Sequence, residues 1–331
     1  MKYDFGMGRP DKPGDDGLKG MRGQRFCASY WLKPRAHRGD QREGAVLGQG
    51  WISRFLAEED LPKSFRATIE AICEPLADRL ARLRQVRRKT VLIGLTGAQG
   101  SGKSTIAAAT VRLLENRGLT AVAVSLDDFY LPKSARERLA REVHPMLAVR
   151  GPPGTHDVAL AGATLDQLRA PGRIALPAFD KATDERKPRA AWRTVATPVD
   201  VVIFDGWCVG ARAQGAAALV EPANALEAEE DPDGRWRTWV NTQLDGRYQD
   251  LFAKLHELVL LQAPSFEVVL GWRQEQERKL IARTGQGMSE AEVARFVAHY
   301  ERLTRWILAE MPERARLVFP LAADRTPIAT D

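Results

Sequence analysis

Cysteine is scarce in this chain, long apolar runs are missing, and no aromatic residues interleave its basic ones. The three cysteines, Cys27, Cys73 and Cys208, among 331 residues have neither metal-ligand spacing nor the dense, even pattern of a disulfide scaffold. A reducing compartment is therefore expected. No stretch approaches the ~20 apolar residues of a membrane span. The N-terminal region lacks the apolar segment of a secretory signal, and its Asp4, Asp11, Asp15 and Asp16 argue against a transit peptide. The expectation is a cytoplasmic protein with no membrane partner. Lysine and arginine exceed the acids by 6, but they are spread along the chain, so no nucleic-acid partner is expected. The same sign of charge suits a protein that handles small anions.

The first 48 residues also lack apolar periodicity. Gly, Pro, Arg and Asp dominate there, which reads as a disordered or loosely attached extension, with Phe26–Leu32 as a segment that could dock. From residue 49 to 89 the pattern turns helical. Phe65, Ile69, Ile72, Leu76, Leu80, Leu83 and Val86 recur at three and four residues, an apolar stripe expected to pack on the core. Pro75 predicts a kink or two helices near Glu74.

What is present most strongly is the stretch from Thr90 to Thr105. An apolar, β-branched run ends in Gly97-Ala98-Gln99-Gly100-Ser101-Gly102-Lys103-Ser104-Thr105, and a helix-forming segment follows. Gly97 and Gly102 bracket four residues and Lys103 and Ser104 come next, the phosphate-loop pattern. Backbone N–H groups close on phosphate oxygens only where no Cβ intervenes, hence the glycines. Lys103 would reach the β- and γ-phosphates of ATP, and the Ser104 hydroxyl would ligate Mg²⁺.

Beyond the loop, short apolar runs at Thr120–Leu126, Ile174–Phe179, Val199–Phe204, Leu258–Gln262 and Leu317–Leu321 read as buried parallel strands. Helical patterns lie near 103–117, 159–169, 238–256, 273–283 and 289–311. The alternation predicts an α/β fold, a doubly wound, mainly parallel sheet with helices on both faces, over residues 90–331. Ligands of such sheets bind beyond the C-terminal strand ends, which is where acids, cations and aromatics should be sought.

One strand run ends in Asp127, Asp128 and Tyr130. Asp127 is the preferred base for an attacking hydroxyl and Asp128 the second choice, with a turn or cap as the plainer reading. Another ends in Asp205, placed to hold Mg²⁺ with Ser104. Two segments look like walls for a small anionic substrate. One carries Arg150, His156 and Asp157, and the other Phe179, Asp180, Lys181 and Arg186. Capping of a turn is the alternative reading of His156. A helix near 272–284 brings Arg273 and Arg278, with Arg283 further along, as candidate lid arginines over a migrating phosphoryl group; a solvated face of Glu–Arg/Lys pairs is the alternative.

The motifs Ser125–Tyr130, Arg150–Asp157, Leu176–Lys181, Phe204–Trp207, Leu261–Glu267 and Gly271–Glu277, in this order behind the phosphate loop, resemble the plant-type D-glycerate 3-kinases. These sit within the phosphoribulokinase/uridine kinase/pantothenate kinase group. The resemblance spans roughly residues 50–325. It implies transfer of the ATP γ-phosphoryl group to the 3-hydroxyl of D-glycerate. It also implies Asp127 as the base, Asp205 near the metal, and Phe179-Asp180 where uridine kinases carry a substrate-contacting Tyr-Asp. Other acceptors of the same group, pantothenate or a nucleoside, are the alternatives, as is a nucleotide-binding regulator that hydrolyses ATP slowly. The oligomeric state is not legible from the sequence.

Overall fold

Three neighbouring strands show how strand periodicity divides the core. In β1 (Val91–Gly97) every residue is buried, and alternate side chains point to opposite sides of the sheet. The computed structural model describes residues 47–329. All but the end of the expected N-terminal extension lies outside that range, with Phe26–Leu32 and Cys27.

The remaining strands follow in chain order: β2 (Ala121–Ser125), β3 (Gly172–Leu176), β4 (Phe179–Asp180), β5 (Glu185–Arg186), β6 (Arg193–Thr197), β7 (Val201–Gly206), β8 (Glu257–Gln262) and β9 (Leu317–Pro320). Five of them form a parallel sheet of order β2-β7-β1-β8-β9, with the phosphate-loop strand at its centre. Ile93, Leu95, Val201, Ile203, Val259 and Leu261 face one core; Leu92, Val202, Phe204 and Leu260 face the other. Burying each such side chain contributes about 1.5–3 kcal/mol.

Helices cover both faces. On the first lie α1 (Leu47–Glu58), α2 (Phe65–Thr68), α3 (Glu74–Arg87) and α4 (Lys103–Asn116). The break near Glu74 takes the form of a π turn over Ile69–Cys73, after which α3 starts with Pro75 in its first turn. Proline is tolerated there because the N–H it lacks has no helical partner at that position. Next in the chain come α5 (Lys133–Glu142), α6 (Val158–Gln167), α7 (Ala225–Glu230), α8 (Arg235–Gln243), α9 (Gln249–Phe252), α10 (Glu267–Thr284) and α11 (Glu290–Glu310). Helix α11 opens with a capping box of Ser289 and Glu292. Among the described residues no helix is long and apolar enough to cross a membrane.

Two expectations are corrected. The run Ile174–Phe179 is no parallel strand: β3 pairs antiparallel with β6, and the separate β4 pairs antiparallel with β5, both outside the main sheet. Pro177 explains the interruption, since it cannot donate to a ladder. The exposed Gly172 and Arg173 and half-buried Ala175 around buried Ile174 and Leu176 mark a one-sided ribbon. The helix expected over 238–256 is broken at Gly246, whose φ of −96° and ψ of −111° are not helical, giving α8, a π turn over Leu244–Tyr248, and α9. The arginine-bearing helix also begins earlier than expected, at Glu267.

Candidate active site

At the C-terminal end of β1 the chain turns sharply into α4. Gly100 and Gly102 take φ of +78° and +85°, left-handed values that glycine adopts without steric cost. The turn closes through Ser101 N–H donating to the Ala98 carbonyl at 3.1 Å, and α4 starts as Ile106 N–H reaches Gly102 O at 3.0 Å. The opening N–H groups of α4 thus have no helical acceptor, and the helix dipole adds positive character there. The buried Ser101 hydroxyl has no hydrogen-bond partner among the described residues. An anion fits this cradle.

Two acids flank it from neighbouring strands. Asp205, in β7 beside β1, is 2% exposed and accepts from Ser104 Oγ at 3.2 Å and Ser125 Oγ at 3.3 Å. Burial pushes its pKa up to about 6 against the pull of Lys103, with Asp127 adding to the rise. Burial likewise lowers the pKa of Lys103, while Asp127 and Asp205 act the other way. The charge of each therefore favours the charged form of the other, with Asp205 buried and Lys103 half-buried.

Asp127 is the second residue of the 3₁₀ turn Leu126–Phe129 that follows β2, its N–H held by Ser125 Oγ at 3.3 Å. One carboxylate oxygen accepts from Tyr130 OH at 2.8 Å, the other from Lys181 Nζ at 2.6 Å. Burial alone would raise its pKa, but Lys181 and Lys103, with the two hydrogen bonds, hold it well below the usual carboxylate range. Asp128 turns elsewhere: it accepts from the Phe179 N–H at 3.2 Å, and burial pushes its pKa up to about 7. The structure so separates two residues that the sequence leaves equivalent. Asp127 is coupled to the phosphate-loop lysine; Asp128 anchors β4.

The two wall segments come together around Tyr130. Its ring stacks on His156, centroids 4.6 Å apart, and meets Phe179 edge-on at 5.2 Å. His156 is 4% exposed, and burial lowers its pKa to about 4, so it is neutral. Its Nδ1 lies 2.7 Å from Tyr248 OH, which also receives the Gly154 N–H at 2.8 Å. Asp157 caps α6 through Leu160 N–H at 3.0 Å and pairs with Arg186 at 3.1 Å. Arg186 also reaches Tyr130 O, and Asp180 closes a turn onto Ala182 N–H at 2.9 Å. Arg150 donates to Asp184 at 2.5 Å and lies over the Phe179 ring. Arg150, Asp157 and Arg186 thus fix the walls to one another, whereas the Lys181 side chain is 58% exposed.

Helix α10 lies against the phosphate loop: a Cβ on Gly100 would stand 2.6 Å from that of Trp272. Arg273 pairs with Glu277 at 2.6 Å and covers Phe296, while Arg278 is exposed one turn on. The Arg283 side chain is outside what the structure describes.

Four participants have no counterpart in the sequence reading. Arg325 donates to Gly100 O at 2.8 Å and to Glu275 at 2.7 Å, tying the loop to α10. Arg136, 1% exposed, shares Asp184 with Arg150. Tyr248 orients His156 from a π turn. None of these carried a local signal, because each acts on a segment far away in the chain. Ser125 is different: it stands two residues before Asp127 at the same strand end and was there to be found.

The family model of the phosphoribulokinase/uridine kinase family matches residues 92–214. The protein named "Uncharacterized kinase mug58" of Schizosaccharomyces pombe is 32% identical over 250 residues, 71% of this chain and 87% of that one. The chloroplastic D-glycerate 3-kinase of Arabidopsis thaliana is 29% identical over 223 residues, 63% of this chain but only 46% of the plant protein. Among solved structures, D-glycerate 3-kinase from Cryptococcus neoformans superposes with a TM-score of 0.67 at 25% identity, over 79% of this chain and 99% of that one. Fungal and plant relatives thus stand side by side, and the plant type is not singled out among them.

Proposed function

The chain belongs to the phosphoribulokinase/uridine kinase family of P-loop kinases, and we propose that it transfers the γ-phosphoryl group of ATP to the 3-hydroxyl of D-glycerate. The observation that carries this reading is the pairing of Asp127 with Lys181 beside Lys103, an acid and two cations around one space at the mouth of the sheet. Similarity to a fungal and a plant protein named D-glycerate 3-kinase supports glycerate as the acceptor.

In this reading the loop from Gly97 to Thr105 wraps the phosphates and Lys103 reaches toward the γ-phosphoryl group. A nucleotide-bound Mg²⁺ fits the corner of Ser104 and Asp205, where a buried carboxylate with a raised pKa gains from a cation. Among the described residues no group of three or more His, Cys, Asp or Glu could hold a metal ion, so phosphate oxygens and water would complete the shell, as Mg²⁺ prefers. When bound, the ion neutralises charge on the β- and γ-phosphate oxygens. Asp127 orients the acceptor hydroxyl and takes its proton, while Tyr130 holds the carboxylate in place. The stacked Tyr130 and His156 form one wall, and Arg273 or Arg278 on α10 would supply positive charge to the migrating group.

The test is ADP release with Mg²⁺ and a panel of glycerate, pantothenate, uridine and ribulose 5-phosphate. Stimulation by glycerate alone is expected, with the product identified by phosphorus NMR as the 3-phosphate. Turnover indifferent to any acceptor would point instead to a nucleotide-hydrolysing regulator.

Gly100→Ala probes the loop. A Cβ at a φ of +78° and 2.6 Å from Trp272 forces the turn out of place. Misplacement by ~1 Å can cost about 10²-fold in rate, so kcat/KM for ATP should fall by that order and Mg²⁺–ATP affinity measured by calorimetry should fall with it, while circular dichroism stays unchanged. Undiminished affinity would remove the loop from the nucleotide site.

A further inference from the structure

Each carboxylate oxygen of Asp127 has one partner in this structure, and one of the two partners is a cation. Tyr130 OH occupies one and Lys181 Nζ the other, at 2.8 and 2.6 Å. Lone pairs remain for a hydroxyl, but a cation 2.6 Å away opposes the arrival of a proton, so Asp127 is a strong base only once Lys181 withdraws. The two partners differ in mobility. Tyr130 is 3% exposed, clamped between His156 and Phe179. Lys181 has a 58% exposed side chain on a flexible stem at the tip of the β4–β5 hairpin. The hairpin itself is fixed, because Asp184 is held by both Arg136 and Arg150. Its backbone stays while the lysine head can swing.

We propose that Lys181 is a partner-switching residue that couples recognition of an anionic acceptor to release of the base. Without acceptor it neutralises Asp127. When an acceptor bearing a carboxylate enters, Lys181 exchanges one anion for another and Asp127 is left to Tyr130 and the incoming hydroxyl. The exchange conserves the number of ion pairs, so it costs little. A neutral acceptor offers no replacement anion, and Lys181 stays on the base. Specificity then lies in activation as well as in binding, a differential interaction realised on the way to the transition state. The acceptor oxygen then bonds to the γ-phosphorus and its proton passes to Asp127. The bond from that phosphorus to the β–γ bridging oxygen breaks, and ADP leaves with the electron pair.

This deepens the acceptor-site reading above and rests on it. The experiment compares wild type, Lys181→Ala and Lys181→Arg with D-glycerate, with its uncharged methyl ester, and with no acceptor. Wild-type turnover of glycerate tests the function itself. Should the acceptor panel single out a different anionic acceptor, that acceptor and its uncharged ester or amide take the two places. The switch is read from ratios. Wild type should favour the anion over its neutral analogue by about 10²-fold or more in kcat/KM, because with the neutral analogue Lys181 stays on Asp127 and the general-base contribution of about 10²–10⁴-fold is withheld. Lys181→Ala should bring that ratio to within about 10-fold and raise acceptor-independent ATP hydrolysis several-fold, because water now meets an uncovered Asp127. Lys181→Arg should restore much of the ratio. An unchanged ratio in Lys181→Ala, or hydrolysis no faster than in wild type, overturns the switch even with glycerate kinase activity intact.

Discussion

Asp127→Asn is expected to lower kcat by about 10²–10⁴-fold, the usual contribution of a positioned general base. Asparagine keeps the shape and can still accept the Tyr130 hydroxyl, so the pocket is preserved, while the proton acceptor and the ion pair to Lys181 are lost. Mg²⁺–ATP affinity should stay within a few-fold of wild type, because the hydrogen bonds of Asp127 go to Tyr130 and Lys181 rather than to the phosphate loop. The partner measurement is Asp128→Asn. Its carboxylate serves as an acceptor for the Phe179 N–H, a role asparagine can fill, so kcat should change little. Single-turnover kinetics with both variants decide between the two acids. Full turnover by Asp127→Asn would dismiss it as the base, and a collapse confined to Asp128→Asn would transfer the role.

The second large effect concerns stability. Asp231 is fully buried and accepts from Trp236 N–H at 2.7 Å, Arg237 N–H at 3.1 Å and Arg237 Nη1 at 2.9 Å. It thereby satisfies two N–H groups at the start of α8 and one guanidinium that is itself almost wholly buried. Asp231→Ala strands the two N–H groups and leaves the buried guanidinium with backbone carbonyls but no counter-charge. Breaking a buried pair from one side costs about 3–5 kcal/mol, which corresponds to roughly 5–15 °C in Tm for a domain of this size. Thermal denaturation followed by circular dichroism is the check. The double variant Asp231→Ala/Arg237→Leu should regain part of the loss, since no buried charge is then left without its counter-charge, although the two N–H groups still lack their acceptor. A Tm within 1–2 °C of wild type in the single variant, an effect below ~1 kcal/mol, would show that water reaches the pair.

Neither effect follows equally from the sequence. The candidate base is legible because Asp127 closes an apolar run behind a phosphate loop, and both features are matters of local spacing. Asp231 and Arg237 read only as surface charges in an Asp- and Arg-rich stretch; their burial depends on what α8 packs against. Asp157 and Arg186 tell the same story from the other direction. Their residue types suggest contact with substrate, yet the fold spends them on each other and on a helix cap.

By itself the sequence determined the loop Gly97–Thr105, the parallel strands that end in Asp127 and Asp205, and the helices that alternate with them. Glycine spacing, β-branched runs and apolar periodicity are properties of neighbouring residues, so they survive without knowledge of the fold. Tertiary structure decided the antiparallel excursion of β3 to β6 and the break at Gly246. It also decided the pairings of His156 with Tyr248, Gly100 with Arg325 and Asp127 with Lys181, which span 92, 225 and 54 residues. The reason is physical: the energy of such pairs depends on burial and on distances that only chain closure creates, and no periodicity in the sequence encodes them.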